Sequence, residues 1–252
     1  MGKPRSWEKP QKQKPQRDDG TARGASGRQL GMTKHGEFTV VIAQLAAYAL
    51  MFGIVYSLGM ETPGGIVGSG MLAASACMVM IVGWPFAGDS RQSVFGRVFS
   101  AVVFLVAAIF ALQGEFYTDA TFRRWALFLV VAFAAIVVVS FLRQMLRKVR
   151  SHLIASMSAG LTAAVTALGS TCWVFLPALM NDMSSKQADS AIGWAVFIVL
   201  AAAAVLLLVA STSWWKELEH PAPFAWMGMG MLPVMLFGYL VFVAACVTHW
   251  ML

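Results

Sequence analysis

Charge is what this sequence has least of. Only 12% of its 252 residues are Asp, Glu, Lys or Arg, whereas a soluble domain carries about 25%. Hydrophobic residues make up 58% and the mean hydropathy is +0.68. That leaves too little polar surface to cover a soluble core of this length. Between Lys34 and Arg91 there is no Lys or Arg at all. Nor does any Asp, Glu, Lys, Arg or His fall in the middle of a long apolar run. Ionisable groups within hydrocarbon are costly and mark ion and proton paths. Their scarcity argues against a transporter coupled through an intramembrane carboxylate, and against an intramembrane protease built on paired aspartates.

Cysteine and histidine are scarce too. Cys77, Cys172 and Cys246 each lie inside an apolar run with no C-x-x-C pair. No disulfide framework is indicated, and buried thiols of this kind act as small apolar residues. Metal sites need clustered ligands. The "ELEH" stretch, Glu217–His220, has one Glu-x-x-His spacing beside Pro221 and Pro223. A di-iron bundle needs two such pairs and two further glutamates, so the stretch reads as a solvated loop. His35 and His152 fall outside the centres of the runs, and His249 stands alone near the end of the last one, so paired haem ligation within the bilayer has no candidates. The serines in the runs have no His or Lys at matching depth, and an activated nucleophile needs such a base. The expectation is no catalytic residue, no metal, no cofactor and no enzyme.

What is present is long apolar runs. They cover roughly Phe38–Leu58, Gly64–Phe86, Val98–Gln113, Trp125–Leu142, Leu153–Pro177, Ala191–Ser213 and Trp226–Trp250. About 20 apolar residues cross a bilayer core as a helix. Barrel strands would be shorter and would alternate apolar with polar residues. Helices satisfy their own backbone groups in lipid. The reading is an all-α, polytopic integral membrane protein with a bundle of about seven transmembrane helices, the third at the short end of the spanning range. Residues 38–252 form the helical domain. Residues 1–37 form a basic tail with nine Lys/Arg, four Asp/Glu, three Pro and few large apolar residues, a composition expected to be disordered. No short apolar core with a small-residue cleavage site follows it, so the first helix is expected to be an uncleaved anchor. Met32 is an alternative initiator.

Lys and Arg near membrane ends are retained on the cytoplasmic side. Alternating the loops from a cytoplasmic amino terminus puts sixteen Lys/Arg inside and three outside. Arg143, Arg147, Lys148 and Arg150 form the densest inner cluster and determine topology; with the tail they face anionic lipid. The carboxyl terminus is then external. Eight of the nine tryptophans fall near the ends of the runs, at the headgroup level that indoles prefer. The expected location is a plasma membrane of the bacterial type.

The stretch "TPGGIVGSG", Thr62–Gly70, has four glycines in nine positions. A phosphate loop of this density carries a lysine, and none is near. Small residues every four positions instead make a groove for a neighbouring helix. Gly65, Ser69, Ala73 and Cys77 form such a face, and Ser156, Gly160, Ala164 and Ala167 form a second. Hydroxyls at Ser158, Thr162 and Thr166, with the deep amide of Gln44, outline a candidate polar pathway. Gly228, Gly230 and Pro233 indicate a bend in the seventh helix.

Two functions fit. One is a non-catalytic accessory subunit, scaffold or regulator of a membrane assembly, whose partners are the lipid bilayer and other membrane proteins or a second copy. The other is a small permease or exporter for an uncharged or apolar solute. Nucleic acid is not an expected partner, because the basic charges are accounted for by topology and no folded module for it is present.

Overall fold

The computed structural model describes residues 21–60, 62–86, 90–111, 113, 117–146, 153–185, 191–217 and 224–251. Their order is α1 (Thr21–Leu58), α2 (Pro63–Val82), α3 (Ser90–Ala111), α4 (Asp119–Met145), α5 (Leu153–Thr171), a 3-10 turn (Cys172–Phe175), α6 (Leu176–Ser185), α7 (Ala191–Lys216) and α8 (Ala225–Met251). The chain divides into two units, Met1–His35 and Gly36–Leu252. In the first, residues 1–20 lie outside the described residues. Helical backbone begins at Thr21, where disorder was the expectation; extending a formed helix adds one hydrogen bond per residue and needs no new nucleus.

The second unit holds seven helical spans long and apolar enough to cross a membrane: Gly36–Leu58, Pro63–Val82, Ser93–Ala111, Asp119–Met145, Met157–Ser184, Ala191–Lys216 and Ala225–Met251. The protein is a multi-pass, all-helical membrane bundle. Successive spans alternate in direction, so it has a first face, where Gly36 and Lys216 lie, and a second face, where Leu58 and Pro63 lie. The fifth span and α8 form the centre. Of their apolar stretches 83% and 72% are buried, against 17% in α3 and α4 and 6% in α7. α3 and α4 pack on α5, α7 packs on α8, and α2 touches both central helices. The outward faces of α3, α4 and α7 are lined with exposed Leu, Val, Ile and Phe, as lipid contact requires.

Two boundaries differ from the sequence reading. The third helix starts earlier, at Ser90, and runs through Arg97, while its apolar span, Ser93–Ala111, is still the shortest of the seven at 19 residues. The Arg97 guanidinium lies over the Trp84 ring, 5.8 Å from its centroid, and a long stem that carries its charge to an aromatic face can stay in a helix near the membrane edge. The fifth span does not stop at Pro177. It passes through the 3-10 turn into α6, because proline in a first turn removes no intrahelical bond. Trp173 is therefore not at a helix end but fully buried in mid-span.

Glycine closes the α1–α2 turn. Gly59 has φ +93°, a left-handed conformation that favours glycine. Thr62 then caps α2 by accepting from the Gly65 amide at 3.3 Å, with Pro63 in the first turn.

Candidate functional site

The buried centre is built where α5 crosses α8. Both belong to odd-numbered spans and run in the same direction. A Cβ placed on Gly238 would strike the Gly169 carbonyl, and one on Gly169 would come 2.8 Å from the Met235 carbonyl. Two backbones therefore meet with nothing between them, the geometry that small residues permit in lipid. Two aromatic donors bracket the crossing. Trp173 on the fifth span donates through Nε1 to the Val234 carbonyl of α8 at 2.9 Å. Tyr239 on α8 donates its hydroxyl to the Val165 carbonyl of α5 at 2.7 Å. Helical side chains lean towards the amino terminus, so in a parallel pair each reaches a carbonyl that precedes the crossing.

α8 makes two more such approaches. A Cβ on Gly230 would lie 3.1 Å from the Val40 carbonyl of α1, and one on Gly228 would strike the Gly83 carbonyl at the end of α2. Gly228 and Gly230, taken from the sequence as marks of a bend, are thus close contacts with α2 and α1. Pro233 does lie inside α8, and its missing N–H frees the carbonyl four residues earlier.

Next to this crossing runs a polar thread. Ser211 on α7 donates to Gln44 Oε1 at 2.8 Å, Gln44 Nε2 lies 3.4 Å from the Tyr48 hydroxyl, and that hydroxyl lies 3.5 Å from the Pro233 carbonyl. Gln44 and Ser211 are fully buried. The amide thereby ties α1, α7 and α8 together. Tyr48, Trp173 and Phe237 pack around it with ring centroids 5.2 to 6.3 Å apart.

The other hydroxyls stay on their own helix. Thr166 donates to the Thr162 and Ala163 carbonyls, Ser170 to Ala167 and Thr171 to Leu168. Ser158 and Thr162 face outward, while Thr166 is fully buried. The residues of the candidate pathway thus lie on different faces of α5, and Gln44 lies with α7 and α8.

On the first small-residue face, Gly65, Ser69, Ala73 and Cys77 are all buried. A Cβ on Gly65 would strike the Gly59 carbonyl and lie 3.8 Å from Pro177 Cβ. On the second, Ala164 and Ala167 are fully buried, whereas a Cβ on Gly160 would meet nothing within 4 Å. The Ser156 side chain lies outside the described residues, as do Arg147, Lys148 and Arg150. Arg143 stands over Phe95, 3.5 Å from its ring centroid.

Each face of the bundle carries a polar pair between side chains of different helices. At the first face Lys216 meets Glu37 at 3.6 Å. At the second, His249 is not alone: its Nε2 is 2.9 Å from Asp119 Oδ1, and its ring stacks on Phe122 at 4.6 Å. Phe122 leads into a cluster with Phe175, Phe242 and Trp125. Nearby, in the turn before α4, burial raises the pKa of the Tyr117 hydroxyl above its ordinary value, and a hydrogen bond with the Ala178 backbone opposes this. Three buried polar atoms towards the first face have no hydrogen-bond partner among the described residues: Arg97 Nε, Ser140 Oγ and Gln144 Oε1. Among the described residues, no group of three or more His, Cys, Asp or Glu could hold a metal.

One apolar cavity of about 230 Å³ lies between α2, α3 and the 3-10 turn. Sequence reasoning missed it. Its only advance signal was Gly70 and Ala74 four residues apart, which reads as helix packing. No protein family, curated protein or solved structure matches the chain.

Proposed function

We propose that the protein is a non-catalytic accessory subunit, scaffold or regulator of a membrane assembly, with its amino terminus cytoplasmic and its carboxyl terminus external. One observation carries the reading. Gln44, the most polar side chain deep in the bundle, is engaged on both sides by Ser211 and Tyr48. A solute path needs polar groups turned towards a lumen, whereas this amide joins helices. The inward hydroxyls of α5 likewise bond their own backbone. The backbone contacts of α8 with α1, α2 and α5 favour a rigid centre over a gate. The lipid-facing α3, α4 and α7 offer apolar surface to a membrane partner.

The second reading, a permease for an uncharged or apolar solute, draws on the apolar cavity between α2 and α3. Affinity purification in mild detergent with mass spectrometry separates the two. A stoichiometric membrane partner is the expected result. Recovery of the chain only as a monomer or homodimer overturns the accessory reading in favour of transport.

A further inference from the structure

The cavity between α2 and α3 has the size, lining and opening of a site for a hydrocarbon chain. At about 230 Å³ it exceeds the engineered apolar cavity of about 150 Å³ that stays dry and admits benzene. It exists because both walls carry small residues. Gly70 and Ala74 of α2 face Ala108 and Ala111 of α3. The glycine run does two jobs. At Gly65 and Gly68 a Cβ would collide with the α1 end of the turn, but at Gly70 it would first meet Val174 Cγ1 at an ordinary 3.7 Å.

The lining decides the chemistry. Thr171 is its one polar side chain, and its hydroxyl donates to the Leu168 carbonyl at 2.6 Å. An ion or polar solute would lose its hydration and find no donor in return. Water has too few partners to stay. The occupant is therefore apolar. The mouth decides the source. Val67 and Met71, on the rim, are 52% and 67% exposed, on a surface whose solvent is lipid. The floor is the place where the fifth span changes from α to 3-10 geometry, Thr171 to Val174. A 3-10 stretch inside a longer helix often marks a hinge.

We infer that this cavity binds the acyl chain of a membrane lipid, which enters between α2 and α3 from the leaflet at the α1–α2 turn. The cavity lies in that half of the bundle, beside the first turns of α2 and the last turns of α3. The chain reaches inward to Thr171, which is only 2% exposed and out of reach of lipid that merely coats the surface.

The test uses the full chain in phosphatidylcholine vesicles containing a phospholipid with a diazirine near the middle of one acyl chain. After photolysis, peptide mapping locates the adducts. Adducts are expected on Thr171 or Val174, and on Gly70–Ala74 and Phe104–Ala111 at several-fold the level on exposed Leu206 and Val209 of α7. Ala108→Phe should remove them and leave the α7 labelling unchanged. Should that variant fail to fold, Ala74→Leu tests the same filling from the opposite wall. Labelling confined to outward positions, or unaltered by filling the cavity, overturns the inference. So does labelling of Thr171 by a small aryl diazirine dissolved in the bilayer but not by the lipid-borne probe, which would assign the cavity to a small apolar solute.

Discussion

Gln44 shows what a single polar residue does in a dry bundle. An amide buried among apolar helices cannot be left without partners, because each unmatched group keeps its desolvation cost. Here Ser211 donates to its oxygen and Tyr48 lies within reach of its nitrogen. Interhelical bonds of this kind in membranes contribute only about 0.6 kcal/mol on average, so the thread serves register more than stability. Gln44→Leu and Ser211→Ala should each lower the thermal stability in detergent slightly. The pair should lose less than the sum, with a coupling of about 0.6 kcal/mol. Strict additivity in a double-mutant cycle would show that the bond contributes nothing. The amide itself was legible in the sequence as a deep polar group, read there as part of a candidate pathway. Its partners were not, because Ser211 lies 167 positions away and one serine in an apolar run looks like any other.

At the scale of the element, small residues matter only where a neighbour is present to use them. Gly160 and Gly238 are indistinguishable by pattern. A Cβ on Gly238 would strike the Gly169 carbonyl, while one on Gly160 meets nothing. Gly238→Leu should therefore destabilise the bundle by about 1 to 3 kcal/mol, the usual cost of forcing extra methylenes into a packed site. Gly160→Ala should be neutral, or stabilising by up to about 1 kcal/mol, because alanine favours helix over glycine. Melting curves in one detergent compare them directly; equal losses at both positions would remove the basis for placing the crossing at Gly169 and Gly238. The fifth span carries the same lesson for boundaries. Asn181 and Asp182 gave its end the look of a loop, so hydropathy stopped at Pro177. The helix continues because its last turns lie beside α8 and the proline sits in a first turn, where it breaks nothing.

At the scale of the whole molecule, seven spans were legible because a bilayer imposes one length on every helix that crosses it. Arrangement was not legible. The sequence indicates which runs are apolar all round, yet the choice of α5 and α8 for the centre rests on glycines and on two aromatic donors whose targets are backbone carbonyls. Orientation depends on charge alone, and it yields a direct prediction. A reporter fused after Leu252 should read as external and one placed in Arg143–Arg150 as cytoplasmic, following the Lys/Arg asymmetry. An internal carboxyl terminus with Arg143–Arg150 still cytoplasmic would show that a helix after that cluster does not cross, and both readings reversed would overturn the orientation.

The position of α8 in the chain has a consequence for biosynthesis. Its contacts reach back to residues that leave the ribosome long before it does: Trp173 meets Val234 across 61 positions and Tyr48 meets Pro233 across 185. Six spans can be threaded into the bilayer one after another while the place they will converge on is still unsynthesised. Until α8 arrives, Gly83, Val40 and Gly169 have nothing to close against, although α3 and α4 can already pack on α5. Closure of the centre is thus timed by the last of the seven helices to emerge, and a ribosome stalled before Ala225 would leave a partial bundle around α5 with its α8 groove open.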